Sequence, residues 1–165
     1  MIYNSQTLLH ASPIKDMYNY KRRTHGVSHG LSEAGYDICL KQDIRFARSF
    51  DNIMYHTIDD KRHLGNFAIA SAIEEFIMPN NLVGVVHDKS TWARQGLSVF
   101  NTVIEPGWEG FLTLELVYHG SEPLELPAGA GIAQVLFHET TCQVSYDGKY
   151  QNQEDRPVSA IFEKG

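Results

Sequence analysis

An all-β fold with a few short helices, arranged as a sandwich, jelly roll or distorted β-barrel, is the architecture this sequence predicts. From Gly35 onward, short apolar or alternating runs follow one another between turn residues, the rhythm of small β domains. Helical spacing is confined to brief stretches near the N-terminus and in the middle of the chain. At 165 residues the chain has the length of one ordinary domain, 1–165, able to bury about 70% of its unfolded surface without disulfide or structural metal.

The elements follow in order. Ser5 is placed to cap a helix over Gln6–His10 that stops ahead of Pro13. The polar, Gly-punctuated stretch Lys21-Arg22-Arg23-Thr24-His25-Gly26-Val27-Ser28-His29-Gly30 reads as loop. Strand runs are Tyr36–Leu40, Asn66–Ile77, Leu82–His87, Leu97–Thr102, Gly110–Tyr118, Leu124–Leu126, Ala133–His138 and Cys142–Tyr146. Ser90–Arg94 makes one internal helical turn.

Composition narrows the function. With 14 Lys+Arg against 20 Asp+Glu, the net charge is −6, which argues against a general nucleic-acid surface and leaves room for a local basic pocket. No apolar run approaches the ~20 residues of a membrane span, and the first residues lack a signal-peptide layout. The expectation is a cytoplasmic protein with reduced thiols, although one disulfide between Cys39 and Cys142 is conceivable. Two cysteines are too few for a Cys-rich zinc site.

Gly110–Tyr118 is the most informative segment. Strand side chains alternate between faces, so Leu112, Leu114 and Leu116 form one apolar row and Phe111, Thr113, Glu115 and Val117 the other. An unpartnered carboxylate is costly to bury. Glu115 therefore either faces water or sits in a pocket whose surroundings tune its basicity. Ten positions earlier, Glu105 precedes a Pro106-Gly107 turn, and a hairpin there would let the two carboxylates converge.

Lys89-Ser90-Thr91-Trp92-Ala93-Arg94 brings two cations and two hydroxyls to a strand–helix junction, where free backbone N–H groups favour anions. An ordinary helix start with Ser90 as cap and Arg94 in solvent is the alternative. A P-loop is absent, since Gly-x4-Gly-Lys-Ser/Thr does not occur. Gln134 shares a strand face with Ile132 and Leu136, and an amide in an apolar row needs a partner. Tyr146-Asp147-Gly148-Lys149-Tyr150-Gln151-Asn152-Gln153 is either a solvated tail or a segment that closes over an anionic, ring-bearing ligand.

Taken together, six motifs in this order resemble the dCTP deaminase family of the trimeric dUTPase-like superfamily. They are His29-Gly30-Leu31-Ser32-Glu33-Ala34-Gly35-Tyr36-Asp37, Lys89–Gly96, Glu105-Pro106-Gly107-Trp108-Glu109-Gly110, Thr113-Leu114-Glu115, Gln134 within Gly131–Phe137, and Gly148–Gln153. The resemblance implies metal-free deamination of dCTP to dUTP and ammonia, feeding dUMP and dTTP synthesis. Glu115 would be the general base that activates water for attack at cytosine C4. Ser90 and Arg94 match further catalytic positions, and Lys89 and Thr91 match the phosphate loop. Thr113 and Leu114 match residues whose backbone reads the cytosine edge. Glu105, Gln134, Tyr146, Lys149 and Gln153 match nucleotide-binding positions. The resemblance further implies a homotrimer with sites between subunits, Mg2+ carried on the triphosphate, no zinc, and dTTP as feedback inhibitor.

The sequence departs from the family at Cys39, where Arg is common, at Phe100, where an amide is frequent, and in a short segment between Tyr146 and Lys149. A dUTPase would share the phosphate loop, but it would carry Asp in place of Glu105 and a Gly-rich tail motif missing here. A bifunctional deaminase–diphosphatase would use both Glu105 and Glu115. A non-catalytic nucleotide-binding regulator would keep the phosphate loop without needing Glu115. A metal-binding barrel of cupin type would need a His-x-His pair, and His25 and His29 do not make one.

Overall fold

The computed structural model describes residues 1–100 and 102–163. Its strands lie in three antiparallel sheets that are not closed into a barrel. The first contains β1 (Ile2–Tyr3), β2 (Lys21–Thr24), β3 (Val27–Leu31), β4 (Tyr36–Cys39), β9 (Leu82–Asp88), β11 (Val103–Ile104) and β14 (Gly131–Glu139). Its order is β11-β9-β14-β4-β3-β2, with β1 also on β14. The second sheet sets β12 (Glu109–Tyr118) between β10 (Leu97–Phe100) and β8 (Phe67–Ile77). In the third, β5 (Ile44–Arg48) joins β13 (Leu124–Leu126) to β6 (Met54–Ile58) and β7 (Lys61–Leu64). Tyr36, Phe46, Phe76 and Phe137 are buried in the core that the sheets share.

Most of the expected strands are present, and the differences have local causes. Lys21–Gly30 is a hairpin rather than a loop, because β2 and β3 pair around a two-residue turn in which His25 (φ 51) and Gly26 (φ 76) are both left-handed. That backbone twist matches the twist of the strands it joins. The β6–β7 hairpin turns the same way through Asp59 (φ 46) and Asp60 (φ 65), without the glycine that would have announced it. Cys142–Tyr146 forms no strand; its backbone caps the Pro79–Asn81 and Pro106 loops, as in Val144 N–H to Asn80 O at 2.9 Å and Tyr146 N–H to Pro106 O at 2.8 Å. Of Leu97–Thr102, the structure forms β10 to Phe100, and Asn101 lies outside the described residues.

Helix α1 covers Ser5–Ala11 with Asn4, not Ser5, at the N-cap, and it ends at left-handed Ser12 ahead of Pro13. Helix α2 covers Ser90–Ala93 with Lys89 at the N-cap and no side-chain cap bond, so Ser90 is its first residue rather than its cap. Trp92 anchors this turn: its indole N–H donates to Gly131 O at 2.7 Å.

Between Phe111 and Thr113, the pairing of β12 with β8 shifts from Glu75 to Ser71. The extra residues on β8 form a bulge, which changes where side chains point. The bulge joins the sheets, with Ala72 bridging Leu40, and it turns Glu74 toward β4, where the carboxylate accepts the Cys39 N–H at 2.9 and 3.1 Å.

Candidate active site

A cavity of about 510 Å3 opens against β12 and the C-terminal segment. Glu105, Thr113, Glu115, Tyr146 and Gln153 line it. Five of the expected site residues thus meet on one surface. The carboxylates do not converge by a hairpin, however: β11, which leads to Glu105, pairs with β9 in the first sheet, while Glu115 sits in the second. The Pro106–Gly107 turn makes the crossing, closed by Trp108 N–H to Glu105 O at 3.1 Å.

Alternation puts Leu114 and Leu116 in the core, at 1% and 0% exposure, and Glu115 on the cavity side. Leu112 breaks the row: it is buried yet lines the cavity, because it lies opposite the β8 bulge. Leu114, expected to read the cytosine edge, does not line the cavity, and its side chain belongs to the core. Directly across the ladder from Glu115 stand Phe100 on β10 and Ile69 on β8, side chains that share its face. Burial raises the Glu115 carboxyl above its ordinary value of 4.5.

The motif Glu105–Gly110 proves to be a dock for the chain's end. Trp108 donates its indole N–H to Tyr150 O at 2.6 Å, Gln151 Nε2 donates to Gly107 O at 2.9 Å, and Glu109 N–H donates to Gln151 Oε1 at 2.9 Å. Gly110 (φ 134) then bridges Gln153 in parallel, and a Cβ there would meet the Gln153 nitrogen at 2.5 Å. Only glycine permits both that backbone conformation and that approach. The Tyr146 hydroxyl accepts the Tyr150 N–H at 3.3 Å.

Lys89, Ser90, Thr91, Arg94, Gln134 and Lys149 do not line this cavity. Ser90, Thr91 and Arg94 are exposed on and after α2, and Lys149 is exposed near the Tyr150 ring. Lys89 is not free for an anion: its ammonium is largely buried and paired with Asp37 at 2.6 Å. Gln134 finds its partners in the same cluster, donating to Ser32 Oγ at 2.9 Å and Asp37 Oδ1 at 3.2 Å. Asp37, 3% exposed, thus ties the start of the Lys89–Arg94 segment to β14, a link nothing in its sequence spacing announces. Among the described residues, no group of three or more His, Cys, Asp or Glu is placed to hold a metal ion, and no helix is long and apolar enough to cross a membrane.

This architecture is that of the dUTPase-like proteins. EIAV dUTPase superposes with a TM-score of 0.53 at 20% identity, over 84% of this chain and 94% of its own. The 2'-deoxycytidine 5'-triphosphate deaminase of Agrobacterium tumefaciens gives 0.54 at 16% identity, over 82% of this chain and 47% of its own. Within that class the sequence is more specific: residues 14–140 match the model of the dCTP deaminase-like family. Proteins named dCTP deaminase from Chlamydia abortus and Chlamydia caviae are each 37% identical, covering 82% of this chain and 80% of theirs. The chain belongs to the dCTP deaminase-like family.

Proposed function

We propose that this chain, as a single domain of residues 1–165, hydrolyses dCTP to dUTP and ammonia. The observation that carries the reading is Glu115, a carboxylate of raised basicity on the wall of a cavity of about 510 Å3, in a chain of the dCTP deaminase-like family. Glu115 takes a proton from water as the water oxygen bonds to cytosine C4. The same carboxyl returns a proton to the exocyclic nitrogen. Attack has opened the C4=N3 bond and left its electron pair on N3; as the C4–N bond breaks, the new hydroxyl gives its proton through Glu115 to N3, and ammonia and the uracil carbonyl result.

The triphosphate needs cations and N–H donors, and among the described residues the cavity's lining supplies neither a Lys nor an Arg. Ser90, Thr91 and Arg94 stand exposed elsewhere. In the proposed homotrimer each cavity faces the phosphate loop of a neighbouring subunit, which brings Ser90 and Arg94 to the nucleotide. Lys89 acts there through its pair with Asp37, holding the loop's first residue in place. Mg2+ travels on the triphosphate, for which phosphate oxygens are natural ligands, and zinc is not required. Lys149 and Gln153 close from the C-terminal segment. dUTP feeds thymidylate synthesis in the cytoplasm, and dTTP inhibits; no nucleic acid or membrane takes part.

Glu105 favours one second reading, since it lines the same cavity as Glu115. In that reading the chain also hydrolyses dUTP to dUMP and pyrophosphate. Incubation with dCTP and Mg2+, with ammonia, dUTP, dUMP and pyrophosphate measured separately, tests both. Ammonia with stoichiometric dUTP is expected; dUMP and pyrophosphate would favour the bifunctional reading. Absence of ammonia from folded protein would overturn both.

A further inference from the structure

The geometry points to the Thr113 hydroxyl as the catch that holds the C-terminal segment shut over the cavity, a positioning role outside the reaction itself. This inference rests on the proposed deaminase reading only in its kinetic consequence. Thr113 is 8% exposed, and both functions of its hydroxyl are used by the segment. Oγ1 donates to Gln153 Oε1 at 3.3 Å and accepts the Val158 N–H at 3.0 Å. Gln153, Val158 and Ala160 all line the cavity, so the two bonds fix the part of the chain that roofs it.

The rest of the docking ends at Gln153, short of Val158 and Ala160. Bonds from Pro106, Gly107, Trp108, Glu109 and Phe111 reach residues 146–153. Among the described residues, Val158 N–H to Thr113 is the one hydrogen bond from residues 154–163 to β12. Lys41 holds Asp155 by an ion pair, but its side chain and that of Asp155 are both substantially exposed, where such pairs contribute little. Tyr150 holds Ile161 within the segment, its hydroxyl accepting the Ile161 N–H at 3.0 Å. The buried link to the strand that carries Glu115, two residues on, is therefore Thr113.

Sequence alternation assigns Thr113 to the cavity face but cannot distinguish a hydroxyl that touches a ligand from one that is already occupied. Here both its donor and its acceptor are satisfied within the chain. Threonine, with its branched shape, is also well suited to a strand, so the hydroxyl can be removed without changing the strand: Thr113→Val keeps branching and size. It leaves the partly buried Val158 N–H without its acceptor, which weakens the segment's hold on the strand.

In nucleotide-free protein, Thr113→Val should speed amide exchange at Val158 by about tenfold, read by NMR. KM for dCTP should rise by a similar factor while kcat changes less than about threefold. Thr113→Ser, which keeps the hydroxyl, should restore both. Val158→Pro removes the donor from the other side and should speed exchange at Ile161, whose N–H is held by the Tyr150 hydroxyl, which covers the case in which Thr113→Val fails to fold. Unchanged exchange in both variants would overturn the catch. A raised KM with unchanged exchange would also overturn it, since the hydroxyl would then be touching substrate. A protein that never deaminates dCTP would sink the functional reading alone, because exchange at Val158 still reports on the catch.

Discussion

Glu115 takes its raised basicity from burial on the cavity wall, which favours the neutral acid. The base is lost as pH falls through the raised pKa, so the acid limb of kcat/KM should lie above 4.5, the carboxyl's ordinary value. Glu115→Gln should abolish the limb and cost about 10²–10⁴ in kcat while dCTP affinity by calorimetry is kept. Near-normal ammonia release from this variant would remove Glu115 from the chemistry and shift attention to Glu105. At this scale the site was partly legible. Alternation alone placed Glu115 and Thr113 on one face and Leu114 on the other. Asp37 was not legible, because burial of a Lys–Asp pair depends on which strands become neighbours, and β4 and β9 meet only through β14.

Among the elements, strands with apolar alternation declared themselves and polar hairpins did not. β2 and β7 are built from Lys21-Arg22-Arg23-Thr24 and Lys61-Arg62-His63-Leu64 at sheet edges, where charged side chains guard against unwanted pairing and leave no hydrophobic period to read. The β8 bulge was equally hidden, and it has a measurable consequence. By turning Glu74 inward toward Cys39 N–H, it raises that carboxyl to about 7 from 4.5, with burial as the largest cause. The folded chain then holds the Glu74 proton more tightly than the unfolded chain. Its contribution is complete below about pH 4.5 and is lost as pH rises through about 7. Glu74→Gln keeps an acceptor for Cys39 and removes the titration. Urea unfolding should show the variant equal to wild type near pH 4.5 and more stable by up to about 3 kcal/mol at pH 8. A difference that stayed constant with pH would mean Glu74 does not titrate across this range.

For the whole molecule, the separation of the two halves of the proposed site is the decisive feature. Glu105, Thr113, Glu115, Tyr146 and Gln153 share one cavity, while Arg94 and Ser90 stand exposed away from its lining. Closed symmetry resolves such an arrangement when each subunit presents one half to its neighbour. If so, two dead subunits can rescue each other. Arg94→Ala lacks a phosphate contact, where charge-assisted bonds are strongest, and Glu115→Gln lacks the base; each alone should be inactive in dCTP deamination. Unfolded together at equal concentration and refolded as mixed assemblies, half of all cavities carry Glu115 and, independently, half of the facing loops carry Arg94. About one quarter of sites are then intact, so about one quarter of wild-type activity should return, against almost none when the variants are refolded apart and then mixed. A mixture that stays inactive while mass spectrometry shows hybrid trimers would place Arg94 and Glu115 of a working site in the same subunit.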